Sequence, residues 1–194
     1  MLVRDVSTAL DMTKTGFITT ARLLLRPVRP DDLDLFVEFF SNEGFIRFSG
    51  GNFTRERVAE FVDKVIRWDR EGLPSQFVVH IQETNTPIGY CGFFHHHVDD
   101  WPEIEIGYRL LPDFWDKGYA TEAARAVRDR GFTEWKLERL TSLIHPDNVA
   151  SRRVAEKNGM TLERLTTFKG FPTQVFAINR ARWLERRDVS GIQH

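Results

Sequence analysis

The glycine at position 118 of this 194-residue chain, between an apolar strand-like run and a helix-forming one, is its most chemically suggestive feature. In Trp115-Asp116-Lys117-Gly118-Tyr119-Ala120-Thr121-Glu122 the glycine lets the backbone approach a ligand closely. The N-H groups that open the following helix lack intrahelical acceptors, so those of residues 118–121 converge on an anion, and their spacing suits a pyrophosphate. No Gly-x-Gly-x-x-Gly is present, and Lys117 precedes its glycine instead of following a Walker-type loop, so neither a dinucleotide fold nor a P-loop is indicated.

Three other groups carry reactive side chains. Glu103 and Glu105 lie two residues apart, on one face of a strand, and offer carboxylates for proton transfer. His95-His96-His97 invites a metal reading, but strand residues alternate faces, which leaves only His95 and His97 together, with Asp99 as a third ligand; the expectation is no metal. Cys91, between Tyr90 and Gly92, reads as a small buried filler and not as a nucleophile. As the only cysteine it also excludes an internal disulfide framework and a Cys-rich zinc site, which suits a reducing compartment.

The elements that must position these residues follow from periodicity. Residues 1–19 read as a partly ordered leader, Ala21 to Val28 as a strand, and Leu33, Phe36, Val37 and Phe40 as the stripe of a helix that stops before Ser41-Asn42-Glu43-Gly44. A second helix opens at Thr54 and faces Val58, Phe61, Val62, Val65 and Trp68 inward. Strand periods follow at Phe77 to Ile81, Ile88 to His97 and Ile104 to Leu110, with a turn at Asp99-Asp100, an antiparallel meander. A long helix then places Ala120, Ala124, Val127, Gly131 and Trp135 on one face. Leu140 to Ile144 reads as a strand, Ala150 to Lys157 as a helix, and Thr161 to Thr167 and Val175 to Asn179 as two more strands, with a C-terminal tail over 181–194. Hairpins first and a strand-helix-strand unit later make a mixed α/β (α+β) single domain over residues 20–180.

Composition narrows the partners. The 27 Lys and Arg against 28 Asp and Glu give a net charge of -1, so no field steers the chain to nucleic acid or membrane. The basic stretch Arg180-Ala181-Arg182-Trp183 with Arg186-Arg187 reads as a solvated helix end. No apolar run approaches the ~18 residues of a membrane span, and no secretory pattern opens the chain, so a cytoplasmic location is expected.

The Gly118 loop resembles the coenzyme A pyrophosphate loop of the GNAT superfamily of N-acetyltransferases, Gln/Arg-x-x-Gly-x-Gly/Ala, here with Trp115 at the usual Gln or Arg and Gly118 and Ala120 matching. Thr20-Ala21-Arg22-Leu23-Leu24-Leu25-Arg26-Pro27, Glu105-Ile106-Gly107-Tyr108 and the stretch Asn148 to Met160 are similar, in the same order, to the branch that holds the ribosomal-protein N-terminal acetyltransferases RimJ and RimL. Asp116 departs from the branch, which often has Gly or another uncharged residue there; a carboxylate beside a pyrophosphate is expected to weaken affinity modestly.

The resemblance implies a mostly antiparallel central sheet flanked by helices, with a V-shaped cofactor cleft between two parallel strands. It implies acetyl-CoA as cosubstrate, no metal, and direct attack of a primary amine in a ternary complex, the acceptor being a protein N-terminus or a small-molecule amine. Cofactor contacts fall on Leu110, Leu111, Lys117, Gly118, Tyr119, Ala120, Thr121, Asn148 and Ser151. Glu105 is expected as the base and Ser151 as the acid for the leaving thiolate, because Ala155 occupies the usual Tyr position; Tyr108 and Tyr119 are other hydroxyls within the motifs. A backbone N-H near Leu110 is expected to meet the oxyanion. An α-amino group, with a pKa near ~8, is neutral at pH 7 far more often than a lysine near ~10.4, so a weak base suffices for an N-terminal acceptor. A homodimer is a further expectation of the resemblance. The alternative is a non-catalytic acyl-CoA sensor or partner-binding module, motivated by Ala155 and Asp116.

Overall fold

The computed structural model describes residues 16–191. One eight-stranded sheet runs through them in the order β1-β2-β3-β4-β5-β6-β8-β7. Its strands are β1 Ile18–Thr19, β2 Leu23–Pro27, β3 Gln76–Ile81, β4 Pro87–Val98, β5 Trp101–Leu110, β6 Arg139–Ile144, β7 Thr161–Phe168 and β8 Phe171–Asn179. The helices are α1 Leu33–Ser41, α2 Glu43–Ile46, α3 Arg55–Arg70, α4 Tyr119–Thr133, α5 Val149–Lys157 and α6 Arg180–Gly191.

Every neighbouring pair is antiparallel except β5 and β6, which run parallel and share a single register pair, Glu105 opposite Thr141. Parallel neighbours need a crossover, and α4 supplies it. Side-chain hydroxyls continue the junction: Thr141 Oγ1 donates to the Ile104 carbonyl at 3.2 Å and Ser142 Oγ to that of Ile106 at 3.0 Å. Beyond Ile106 no further strand pair joins β5 to β6, so an open, mixed sheet results.

Each face of the sheet carries its own core. On one, Ala123, Ala124, Val127 and Phe132 of α4 pack with Leu23, Phe93, Ile106, Leu140 and Ile178. On the other, α1, α2 and α3 bring Phe36, Phe39, Phe40, Phe45, Val58, Val62 and Val65 against Val78 and Tyr90. Phe36 is fully buried, with the rings of Phe39, Phe61 and Tyr90 5.6 to 5.9 Å from its own.

Several elements differ from the sequence reading. Ser41-Asn42-Glu43-Gly44 is not all loop: the Asn42 side chain accepts the Phe45 N-H and starts the one-turn α2, which turns Phe45 inward. Strand β5 begins three residues early, at Trp101, because Asp99 and Asp100 both take positive φ (52° and 66°), the two-residue turn that matches strand twist. Ala123 joins the α4 core as well, with Ala120 partly buried against it, and Trp135 lies past the end of that helix, its Nε1 donating to the Gly72 carbonyl. Residues 181–191, read as a tail, form most of α6, whose Trp183 is 3% exposed and donates to Asp129 at 2.6 Å. Of the stretch read as a leader, Ile18–Thr19 pairs with β2, and residues 1–15 lie outside the described residues.

Removing the centre of the aromatic cluster tests this packing. Phe36→Ala is expected to cost about 3–5 kcal/mol, the range for truncating a buried Phe, read as a lower denaturant midpoint at unchanged slope.

Candidate active site

The parting of β5 from β6 leaves backbone groups facing an open edge. Leu111 N-H donates to the Ile88 carbonyl of β4 at 2.9 Å. Antiparallel ladders alternate, so the backbone groups of Tyr108 and Leu110 turn away from β4, toward the side on which Ile104 and Ile106 meet β6. Leu110 therefore presents its N-H to the opening, while its carbonyl accepts Trp115 Nε1 at 2.7 Å. Leu111, expected to lend backbone groups there, has both engaged: its carbonyl accepts Phe114 N-H at 3.0 Å.

The Gly118 loop lies past the end of β5. Gly118 is the N-cap of α4 with φ 81°, a left-handed conformation that glycine adopts without strain. The first intrahelical bond of α4 runs from Glu122 N-H to Gly118 O, so the N-H groups of Tyr119, Ala120 and Thr121 stay open to an anion. Asp116 also has positive φ, 56°. That gives the family's frequent Gly at this position a backbone reason, which the purely electrostatic reading had missed. Lys117 leans its ammonium over the Phe114 ring.

Arg22, part of the Thr20 to Pro27 motif but given no role from sequence, braces this loop. Its Nε donates to Glu122 Oε2 at 2.7 Å, its Nη1 to the Lys117 carbonyl at 3.0 Å, and its guanidinium lies 4.5 Å from the centre of the Tyr119 ring. Thr20 and the Arg22 N-H complete the shell of Glu122. Beside Gly118 an open cavity of ≈ 660 Å³ is lined by Arg22, Thr121, Arg125 and Lys157 among others. The three cations share it with the carboxylates of Glu122, paired to Arg22, and Asp129, which leaves an excess of one positive charge. Only folded proximity reveals the cations, since they come from the residue before β2, from α4 and from the end of α5.

At the other end of the opening, Asn148 caps α5 by accepting the Ser151 N-H on Oδ1 at 3.1 Å, which leaves its amide NH₂ to donate. Ser151 O accepts the Tyr108 hydroxyl at 3.2 Å, so Tyr108 reaches from β5 to α5 across the gap. Burial pushes the Tyr108 phenol well above its ordinary value and keeps it a donor. Ala155, 1% exposed, packs in the core.

Glu105 stands at the last shared pair of β5 and β6. Its Oε1 accepts the Leu143 N-H at 3.3 Å, and its Oε2 lies 2.9 Å from His96 Nε2. Glu103, on the same strand face, is bound instead by Arg139 at 3.0 and 3.2 Å and by Arg164 at 3.5 Å. His96 was missed because the alternation argument singled out His95 and His97. His95 in fact bonds the Pro74 carbonyl at 2.8 Å, and Asp99 is taken by Arg164 and Thr166. Among the described residues no group of three or more His, Cys, Asp or Glu is placed to hold a metal ion. Cys91 is fully buried, and burial pushes its thiol well above the ordinary value, unlike an activated nucleophile.

An aromatic wall closes the Glu105 side. A Cβ at Gly107 would lie 2.5 Å from the Phe94 ring, so the glycine is what lets Phe94 lie over the strand. Phe168 and Phe171, at the two ends of the β7–β8 turn, meet His96 and Gly50 respectively, and Phe48 stacks on His145. Arg109 lies 5.8 and 5.9 Å from the ring centres of Phe40 and Phe53.

Comparisons with known proteins bear on the family and the fold. Residues 22–161 match the acetyltransferase (GNAT) domain model. The uncharacterized N-acetyltransferase YnaD of Bacillus subtilis is 33% identical over 147 residues, 75% of this chain and 83% of its own. A GNAT-family acetyltransferase from Bacillus anthracis superposes with TM-score 0.71 at 30% identity, over 85% of this chain and 99% of that one. RimL, a ribosomal L7/L12 α-N-protein acetyltransferase solved with coenzyme A, shares the fold at TM-score 0.70 and 18% identity, over 84% of this chain and 97% of its own. No helix among the described residues is long and apolar enough to cross a membrane.

Two measurements test the loop. Gly118→Asp puts a side chain at a left-handed position and a negative charge beside the open N-H groups, so acetyl-CoA affinity measured by calorimetry is expected to fall at least tenfold, about 1.4 kcal/mol. For Glu122, burial alone would raise the carboxyl, but the hydrogen bonds of Thr20 and Arg22 outweigh it and hold it below the ordinary 4.5. A lowered carboxyl stabilises the fold above that ordinary value and loses its contribution as the pH falls through the folded one. The gap in melting temperature between the native chain and Glu122→Gln is therefore expected at pH 7 and to shrink as the pH falls below 4.5.

Proposed function

Because the chain belongs to the GNAT family and carries an acetyl-CoA-dependent N-acetyltransferase domain, we propose that it acetylates a primary amine by direct attack within a ternary complex, with Glu105 as the base. The observation that carries this reading is the placement of the Glu105 carboxylate at the point where β5 and β6 part. From there it is aligned with a free backbone edge on one side and the aromatic wall on the other.

The reaction asks the chain for few groups. Acetyl-CoA lays its pyrophosphate on the N-H groups of Tyr119 to Thr121 and its pantetheine along the open edge of β5, toward the Asn148 amide. The acceptor nitrogen attacks the thioester carbonyl, and the developing oxyanion meets the Leu110 N-H. Glu105 removes the proton that the nitrogen must lose. The departing thiolate takes a proton from a hydroxyl at the start of α5, that of Ser151 or that of Tyr108, which donates to the Ser151 backbone carbonyl at 3.2 Å. The acceptor enters on the side of Phe48, Phe53 and Phe168 as a protein N-terminal α-amine or a small-molecule amine. RimL acts on a ribosomal protein's α-amine, and the weak-base argument favours that class.

Release of coenzyme A from acetyl-CoA, followed with N-terminal peptides, amino acids, polyamines and aminoglycosides, tests the reading; no turnover with any of them at saturating acetyl-CoA would overturn it. With the amine that works, Glu105→Gln is expected to lower kcat by at least about 10²-fold, the usual scale of a positioned base, while acetyl-CoA binding changes less than about twofold. Tyr108→Phe and Ser151→Ala then identify the acid: the variant that slows thioester acetyl transfer, and slows it less with a leaving thiol of lower pKa, marks the donor.

A further inference from the structure

Two carboxylates lie on the same face of β5, and the fold gives them different partners. Glu103 is 6% exposed and held by the guanidinium groups of Arg139 and Arg164, which do not exchange protons at working pH. Glu105 is held by an imidazole, which does. The strand register alone would pair the imidazole with the other carboxylate. His96 is directly opposite Glu103, and Phe94 is opposite Glu105. The His96 ring nonetheless leans along the diagonal to Glu105, because Glu103 is already engaged by the two arginines.

The imidazole is also held in place. The Phe94 ring lies nearly parallel to it at 5.7 Å, and Phe168 meets it edge-on at 5.0 Å. The His96 and Glu105 side chains are 13% and 15% exposed, mostly removed from water yet not sealed from it. The other titratable or charged groups around the pair are Arg109 on β5, Tyr90 on β4, Tyr108 facing α5, Lys169 beside Phe168, and Lys64 of α3 near Lys169.

We propose that His96 and Glu105 work as one proton-transfer unit, in which His96 is a positioning residue that aims the Glu105 carboxylate and then carries its proton to solvent. The inference rests on the acetyltransferase reading. As the amine attacks, its N-H bond breaks and an O-H bond forms at Glu105. In the Nδ1-H tautomer the bare Nε2 takes that proton as the O-H bond breaks, and the imidazolium gives its Nδ1 proton to water; the Nε2-H tautomer so formed donates back to the Glu105 carboxylate until exchange through water returns the proton to Nδ1. The imidazole gives the protonated carboxylate an acceptor of its own at 2.9 Å, in a pair whose two side chains are about equally exposed. The same contact assigns the base to Glu105 over Glu103 on chemical grounds.

His96→Gln separates transfer from packing, since a glutamine amide can still donate to Glu105 but cannot take its proton. With the amine acceptor that turns over, this variant is expected to lose at least about tenfold in kcat, with the KM for acetyl-CoA within twofold and an altered pH dependence of kcat/KM. Added imidazole is expected to restore activity several-fold to His96→Ala and to leave the native protein unchanged. Wild-type kcat in His96→Gln across pH 6 to 9, with no imidazole rescue of His96→Ala, overturns the proposal. If the native chain turns over no amine, the acetyltransferase reading itself has failed. The pair is then judged by ¹⁵N imidazole resonances: a shift of the His96 Nε2 signal in Glu105→Gln supports the contact, and an unmoved signal refutes it.

Discussion

The interaction on which the rest depends is one that stops. The ladder between β5 and β6 holds at Glu105 and Thr141, is continued by hydroxyl contacts from Thr141 and Ser142, and then has no further strand pair. In a continuous sheet the groups of Tyr108 and Leu110 would be satisfied by a neighbouring strand. Unpaired backbone polar groups away from water are costly, so such an edge persists only where water, side chains or a ligand complete it. Trp115 covers the Leu110 carbonyl and Tyr108 spans to α5, while the Leu110 N-H faces the opening. A break in the most regular element of the fold is thus what makes room for a cofactor.

Charge partners then sort similar residues into different roles. Glu122, Glu103 and Glu105 are all partly or well buried, and their chemistry follows from what faces them. Arg22 makes Glu122 a brace that holds β2 to the start of α4, next to the open N-H groups. Arg139 and Arg164 make Glu103 a tie between the β4–β5 hairpin, β6 and β7. Only Glu105 is left with a backbone N-H and an imidazole.

Much of the outline was legible from local patterns. Gly118 between an apolar strand and a helix announced the turn that opens α4, and the meander from Gln76 to Leu110 announced antiparallel pairing. Both are short-range signals, set by backbone sterics and by alternation along one strand. The same alternation misdirected attention to His95 and His97, because it says which residues share a face but not which carboxylate a ring will find. Arg22 was unreadable for a related reason: its partners Lys117 and Glu122 lie about a hundred positions away. Asp116 looked like an electrostatic nuisance until its φ showed why glycine is frequent there.

The sequence by itself determined most of the element order, the family and the glycine turn that opens α4, since each is written in contiguous residues whose spacing or motif has a local physical meaning. Tertiary structure decided what those residues can do. It spent both backbone groups of Leu111 on neighbouring chain, gave Glu103 to arginines and Glu105 to His96, and drew Arg22, Arg125 and Lys157 from separate elements to one cavity. The reason is that acid-base roles and ligand contacts act over a few ångströms in space, and distance along the chain does not encode them.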